Sequence, residues 1–328
     1  MTYEEAKISF NSLFMHEMND EQMREFLLSL KLDEDTQVDT IAAAAEVMRS
    51  FALKLPISEE LRSKVIDIVG TGGDKIGSFN ISSTVAIVAA SCGSMVAKHG
   101  SRSVTSKSGS ADMFEELGVR LDLNIENNAK LLEESGFTFM FAGNYHPAMK
   151  FIMPVRKTIA DKTIFNILGP LTNPAGAKKS LLGVFNRSFV PKMAEALKMN
   201  GAVSGMVVSS AEGMDEISIS DITYASKFKN GIMEESVIDP LEYGIKRVPL
   251  KAITGGDAKE NARILYNILD NRATDAQRDI VLINTAAALT VDGIARDIQD
   301  GLEMARESLK IRKAKEKLEK IIEISNKL

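Results

Sequence analysis

Five separated clusters in this chain carry residue types that can do chemistry. Gly70-Thr71-Gly72-Gly73-Asp74 follows the short apolar run Val65–Val69. Glycine admits positive φ and leaves no side chain between backbone N–H groups and an anion, so such a loop can cradle phosphate. It is not a Walker A loop, because no Gly-Lys-Ser/Thr follows, and it lacks the third glycine of a dinucleotide fingerprint. A plain tight turn has the same signature. Asn80-Ile81-Ser82-Ser83 opens a helical run; these are ordinary capping residues, and the same place offers free N–H groups and a positive dipole end to an anion. Lys98–Ser110 crowds five Ser and one Thr among Lys98, His99, Arg102 and Lys107, which suits a second phosphate wall or a solvated polar loop. Within it, His99 serves as well in a neutral packing role as in proton transfer. Asp215-Glu216 sits just past the apolar stretch Ser204–Ser209. Adjacent carboxylates there suit magnesium, which takes oxygen ligands and leaves part of its shell to water and substrate phosphate, although an exposed acidic turn has the same sequence. Arg156 lies in the otherwise apolar Met153-Pro154-Val155 stretch, where a guanidinium can hold a carboxylate through two parallel hydrogen bonds or simply face solvent. There is no plausible Ser/His/Asp or Cys/His assignment.

The elements that must position these clusters follow from periodicity. Tyr3 to about Leu53 reads as helices, with Phe10, Leu13, Phe14 and then Met23, Phe26, Leu27, Leu30 at steps of three and four, and no strand signal. From Lys64 onward short apolar strands alternate with helices. Strands are expected over Val65–Val69, Met95–Lys98, Phe137–Ala142, Ser180–Phe185 and Ser204–Ser209. Helices are expected over Ser82–Cys92, Ala111–Leu117, Asn127–Ser135, Phe189–Asn200 and Lys259–Leu269. That alternation predicts an α/β fold with a mostly parallel, covered sheet, whose ligands bind at the carboxyl ends of the strands. The clusters above fall there. Ile217–Val237, turning at Lys229-Asn230-Gly231, reads as an antiparallel appendage. Phe165–Pro174 reads as a loop between helices, and Leu302–Leu328 as one amphipathic helix with a solvated charged face.

At 328 residues the chain exceeds what one core usually supports, so two domains are expected: a helical one at 1–63, joined by part of 155–180, and an α/β one at 64–328. Net charge is −5, which argues against nonspecific nucleic-acid binding. No stretch approaches a membrane span, and the N-terminus lacks the layout of a signal peptide. The single cysteine, Cys92, fits a reducing cytoplasm and reads as a small buried hydrophobe.

The motifs Gly70–Asp74, Phe79–Ser82, Lys98–Gly100 with Arg102, Ser108–Asp112, Tyr145–Lys150, Arg156, Phe165–Pro174 and Asp215–Ser218 occur in the order found in anthranilate phosphoribosyltransferases, which the chain resembles along nearly its whole length. The resemblance implies a phosphoribosyltransferase-like fold in which a small helical domain joins a larger α/β domain and forms homodimers. It implies transfer of the phosphoribosyl group of phosphoribosyl pyrophosphate (PRPP) to anthranilate in tryptophan synthesis. Gly70, Gly73, Asp74, Ser78, Asn80, Ile81, Ser82, Ser83, Lys98, His99, Gly100, Ser101, Arg102, Ser103, Val104, Thr105, Ser106 and Ser110 would line the PRPP site. Ser82 with Glu216 would hold one magnesium ion, and Asp215 with Glu216 a second. Gly70, Ser101 and Arg156 would lie along the anthranilate path, with His99 and Pro170 beside it; no catalytic base is expected. Ser101 stands where the family usually has Asn, Ser83 where it has Thr, and Ser78 where Thr is frequent. Ser101 leaves open a related transferase with another aromatic acceptor. A nucleoside phosphorylase, or a noncatalytic phosphate- or nucleic-acid-binding relative, fits less well, because the glycine and basic loops and Asp215-Glu216 are intact.

Overall fold

The computed structural model describes residues 1–103 and 107–328. The chain opens with α1 (Tyr3–Phe14), α2 (Asp20–Ser29) and α3 (Val38–Ser50). The first two start in capping boxes, Thr2 with Glu5 and Asn19 with Gln22, which satisfy N–H groups that would otherwise be orphaned. A short α4 (Glu59–Lys64) leads into β1 (Val65–Gly70), α5 (Ile81–Ser91), β2 (Met95–Gly100), α6 (Ser110–Glu116), α7 (Ile125–Ser135) and β3 (Phe137–Phe141). Next come α8 (Ala142–Tyr145), α9 (Met149–Arg156) and α10 (Phe165–Leu168), which runs into a 3-10 turn at Gly169–Leu171. The alternation resumes with β4 (Lys179–Gly183), α11 (Val190–Met199) and β5 (Ser204–Ser210), and the hairpin β6 (Thr223–Lys229) and β7 (Ile232–Ile238) follows. Four helices close the chain: α12 (Ala258–Leu269), α13 (Asp275–Asp292), α14 (Ile298–Lys310) and α15 (Lys313–Lys327).

The strands form one sheet in the order β3-β2-β1-β4-β5-β6-β7, parallel through β5 and antiparallel at β6 and β7. Alternate side chains feed opposite faces, as the two-residue strand period requires. Ile66, Ile68, Val96, Leu181 and Met206 join α5 and α12–α15 in the larger core. Leu182, Val184 and Val207 face α11 and share a second core with Phe10, Leu13, Ile41 and Phe165. The N-terminal helices are thus clamped to the chain between β3 and β4, with a bridge pairing Lys31 and Thr163 where no strand pairing was expected.

Three readings change. The hairpin is the edge of the main sheet, since Ser204–Ser210 pairs in register with Thr223–Lys229, and residues 217–222 before it form no strand. The Phe165–Pro174 segment begins with helical turns. The C-terminal stretch is two helices, broken at Arg312, which has φ 61. The cause is in the spacing: Leu302, Ala305 and Leu309 are buried, then Ala314, Leu318 and Ile321. The five-residue step from Leu309 to Ala314 would rotate one continuous helix off the core, so the break realigns the apolar stripe. Cys92 is only half-buried, at the end of α5.

Strand order reverses between β1 and β4, where an open parallel sheet forms its crevice. Their last residues, Gly70 and Gly183, pair with each other. Both must lack a side chain, because Asp215 lies directly over them: a Cβ would meet Asp215 Oδ2 at 2.3 Å from Gly70 and the Asp215 carbonyl oxygen at 1.6 Å from Gly183. Gly183→Ala therefore has to displace the Asp215 backbone. It should destabilise the protein by about 2 kcal/mol or more, seen as a lowered Tm in thermal unfolding. Gly169→Ala, whose Cβ would meet nothing within 4 Å, is the comparison and should melt normally. Equal Tm values for the two variants would contradict the close approach.

Candidate functional site

The glycine loop leaves β1 with Gly72 and Gly73 at φ 67 and 74, a backbone that L side chains rarely adopt. The loop is held from two sides. Thr71 N–H donates to the Gly183 carbonyl at 2.9 Å, and Gly72 N–H donates to Asp215 Oδ2 at 2.7 Å. Beside it, α5 starts at Ile81 with Asn80 as N-cap. Ser82 N–H donates to Glu216 Oε1 at 3.0 Å, so Glu216 faces the positive end of α5. Lys98, from β2, is 2% exposed; its ammonium donates to the Ile68 carbonyl and to Ser82 Oγ at 3.2 Å. A continuous chain of contacts therefore runs from Gly72 through Asp215, Glu216 and Ser82 to Lys98. These residues come from four separate stretches of sequence and meet at the carboxyl ends of β1, β2 and β5.

The electrostatics of this cluster are unbalanced. Burial, reinforced by neighbouring Asp74, pushes Asp215 up to about 7. Burial and then Asp215 itself push Glu216 well above the usual carboxylate range. Burial pulls Lys98 down, against the pull of Asp67, Glu216 and Asp215. Two adjacent half-buried carboxylates with their proton affinity raised in this way form a site short of positive charge. Among the described residues no group of three or more His, Cys, Asp or Glu can hold a metal by itself.

The second loop is split in its behaviour. His99 is buried, its N–H donating to Asp67 Oδ1 at 3.3 Å and its Nδ1 lying 3.2 Å from the Gly169 carbonyl. Its ring is 5.0 Å from that of His146, and Nε2 of each is buried without a partner among the described residues. Burial pushes His99 down to about 3 and His146 to about 4, so both are neutral imidazoles at ordinary pH. Gly100 packs under Ser110, where a Cβ would come within 2.3 Å of Oγ. Ser101 is exposed, and its carbonyl accepts from Ala111 N–H at 3.3 Å. Arg102 points away into ion pairs with Asp112 at 2.9 Å and Glu115 at 2.7 Å. Ser103 N–H donates to Asp112 Oδ2 at 3.1 Å. Val104, Thr105 and Ser106 lie outside the described residues. Ile81 and Ser83 are buried with their side chains turned inward, which leaves only their backbone to the site, and Ser78 pairs with Thr254 in a bridge.

Arg156 ends α9, half-buried against Met153 Sδ at 3.9 Å and 5.8 Å from the centre of the Phe165 ring, with no carboxylate partner among the described residues. Burial lowers its pKa without an opposing anion. Sequence reasoning missed two neighbours of the site. Lys162 donates to the Gly73 carbonyl at 2.9 Å and lies 3.3 Å from the centre of the Phe185 ring. Asp67, 1% exposed, sits under the second loop; a charge inside the apolar run Val65–Val69 was its only signal.

Comparison with known proteins gives one consistent result. The family model described as "Glycosyl transferase family, a/b domain" matches residues 62–315. The chain is 42% identical to the anthranilate phosphoribosyltransferase of Xanthobacter autotrophicus, over 100% of this chain and 94% of that one. The crystal structure of anthranilate phosphoribosyltransferase from Thermus thermophilus superposes with a TM-score of 0.91 at 36% identity, covering 99% of this chain and 96% of that one. The Saccharomyces cerevisiae enzyme in complex with PRPP and Mg superposes with a TM-score of 0.87 at 28% identity, covering 98% and 92%.

The two buried imidazoles set a pH dependence of stability. Their folded pKa values lie below the ordinary imidazole value, so the unfolded chain binds protons that the folded one refuses. The imidazoles' contribution to stability falls as pH drops from about 6.5 toward about 4, by up to about 1.4 kcal/mol per imidazole per pH unit. Asp67, pushed up to about 6 by burial, Asp215, pushed up to about 7, and Glu216, raised well above the usual carboxylate range, oppose this, because their folded forms take a proton first. His146→Gln should lose less stability than the parent in urea unfolding between about pH 7 and about pH 5. An unchanged loss would contradict the assignment.

Proposed function

The chain belongs to the anthranilate phosphoribosyltransferase family, and from that premise we propose that it transfers the phosphoribosyl group of PRPP to the amine of anthranilate, releasing pyrophosphate, in tryptophan biosynthesis. The observation that carries this reading is the meeting of Gly72, Asp215, Glu216, Ser82 and Lys98 at the sheet's switch point. A glycine loop and a helix N-terminus there supply N–H donors, Lys98 supplies a cation, and the acidic pair calls for a hard metal. Nonspecific phosphate binding would not require the last of these.

Magnesium fits the residues present, because burial leaves Asp215 and Glu216 with more affinity for positive charge than Lys98 alone satisfies. Two carboxylates are too few for a protein-only shell, which leaves positions for the substrate's phosphates. We assign Ser82 and Glu216 to one ion and Asp215 with Glu216 to a second. Bound there with the diphosphate, magnesium supplies charge that stabilises the leaving group. The loop Gly70–Asp74 and Lys98 orient the diphosphate through hydrogen bonds that strengthen as it departs. The aromatic amine of anthranilate carries a free lone pair at neutral pH, so the chain needs no base. Burial lowers His99 to about 3, which makes its imidazole a weak base. Arg156, desolvated and unpaired, suits the anthranilate carboxylate, and the enzyme's remaining task is to align the two substrates.

Residues 1–63 with part of 155–180 would form the helical domain and 64–328 the catalytic domain. Homodimer contact through the helical part is supported by exposed Ile8, Met15 and Phe151. No helix among the described residues is long and apolar enough to cross a membrane, and one cysteine in the chain fits a cytoplasmic location.

Purified protein given PRPP, magnesium and anthranilate should consume anthranilate fluorescence, and failure to do so while another aromatic amine reacts would move the acceptor. Asp215→Ala with Glu216→Ala should lower turnover by about a hundredfold or more and blunt its magnesium dependence; near-normal turnover at low magnesium would refute the metal assignment. Arg156→Ala should raise KM for anthranilate roughly tenfold or more, with a much smaller effect for PRPP. Equal rises would place Arg156 outside the acceptor pocket.

A further inference from the structure

Asn80 is the N-cap of α5, yet its side chain makes no capping hydrogen bond. That is unusual, because an N-cap Asn normally turns its oxygen onto the N–H of the second or third helical residue, here Ser82 or Ser83. The oxygen is instead drawn the other way. Asn261, 2% exposed on α12, donates from Nδ2 to Asn80 Oδ1 at 2.7 Å, and Ser108 Oγ donates to the same oxygen at 3.2 Å. Asn261 is itself fixed in orientation, since its Oδ1 accepts from Gly256 N–H at 2.8 Å. Asn80 Nδ2 is left with one long contact, to the Ser108 carbonyl at 3.4 Å.

The backbone around this pair is braced as tightly. Gly255 N–H donates to the Gly77 carbonyl at 2.9 Å, and Phe79 N–H to the Ile253 carbonyl at 3.2 Å. A Cβ on Gly255 would meet Phe79 Cα at 2.5 Å and Asn261 Oδ1 at 2.7 Å. The segment before α12 is therefore pressed against the segment before α5, and Asn261 is the side chain that crosses between them.

We infer that Asn261 is a positioning residue for the phosphoribosyl donor: it pulls the Asn80 oxygen off the start of α5, so that the Ser83 N–H and Asn80 Nδ2 face the substrate. The inference rests on the reading of Asn80 as part of the PRPP wall. The physical point is one of donors. Ser82 N–H is already taken by Glu216 Oε1, so a capping Asn80 would consume the N–H of Ser83 and present an oxygen to an anion; the observed arrangement leaves the Ser83 N–H uncapped by Asn80 and presents Nδ2. Asn261 touches neither substrate nor reacting atoms in this account and acts only through Asn80.

Steady-state kinetics of Asn80→Ala, Asn261→Ala, Asn261→Asp and the Asn80→Ala/Asn261→Ala pair, with Tm for each, test this. Asn261→Asp keeps an acceptor for Gly256 but, ionised, cannot donate to Asn80. Both Asn261 variants should raise KM for PRPP about tenfold, the equivalent of about 1.4 kcal/mol, while KM for anthranilate stays near normal. The double variant should be no worse for PRPP than Asn80→Ala alone, because Asn261 would have nothing left to position. A merely structural Asn261 would lower Tm and leave KM for PRPP unchanged below it, and that result would overturn the inference. So would a double variant whose defect is the product of the two single ones. An ordinary KM for PRPP in Asn80→Ala would remove the donor-wall reading and the inference with it, whereas a raised KM there with normal Asn261 variants would sink the inference alone.

Discussion

Two half-buried carboxylates side by side are the constraint on which the rest of this structure turns. Asp215 and Glu216 sit at the crevice of an open sheet, and burial gives both a raised affinity for positive charge. Each is tolerated because one oxygen receives a backbone N–H, from Gly72 and from Ser82, and because Lys98 lies close by. Those partners do not discharge the pair. A partly desolvated pair of this kind is costly unless it is matched, and the proposed match is a divalent cation brought in with a phosphate-bearing substrate. The same constraint explains the glycines beneath it. Gly70 and Gly183 pair across the switch point because Asp215 occupies the space that any side chain there would need.

The donor and acceptor sides are built from different material. The donor side stands on strand ends and the first turn of α5, all within one sheet. The proposed acceptor side rests on Arg156, carried by a helix that packs on the N-terminal helical segment. Lys162 joins the two. Its carbonyl accepts from Leu32 N–H at 3.0 Å, within the helical part, while its ammonium reaches the Gly73 carbonyl of the donor loop. Lys162 therefore ties the helical segment to the glycine loop.

Much of this was legible in the residues themselves. The strand–helix alternation, the glycine loop, the helix opening at Asn80 and the acidic pair are all local patterns, and local patterns survive folding. What escaped was non-local or lay at a joint. The start of the C-terminal break shows only as a five-residue step in an otherwise regular stripe, and α13, with buried faces almost all round, has little amphipathic signal to read. Asp67, Lys162 and Asn261 carry no motif; each becomes meaningful only when the fold sets it against a loop far away in sequence. Arg102 shows the opposite failure. It lies inside a basic motif, but Asp112 and Glu115 on the next helix claim its guanidinium.

The central claim is that the acidic pair and the two strand-end loops grip one metal-bearing diphosphate. A crystal soaked with PRPP and manganese, with anomalous data collected at the metal edge, tests it most directly. The account predicts anomalous density beside Asp215 and Glu216, with the diphosphate spanning the Gly73 loop and Lys98. Metal or diphosphate bound elsewhere, with the Asp215 contact to Gly72 and the Glu216 contact to Ser82 unchanged, would contradict it.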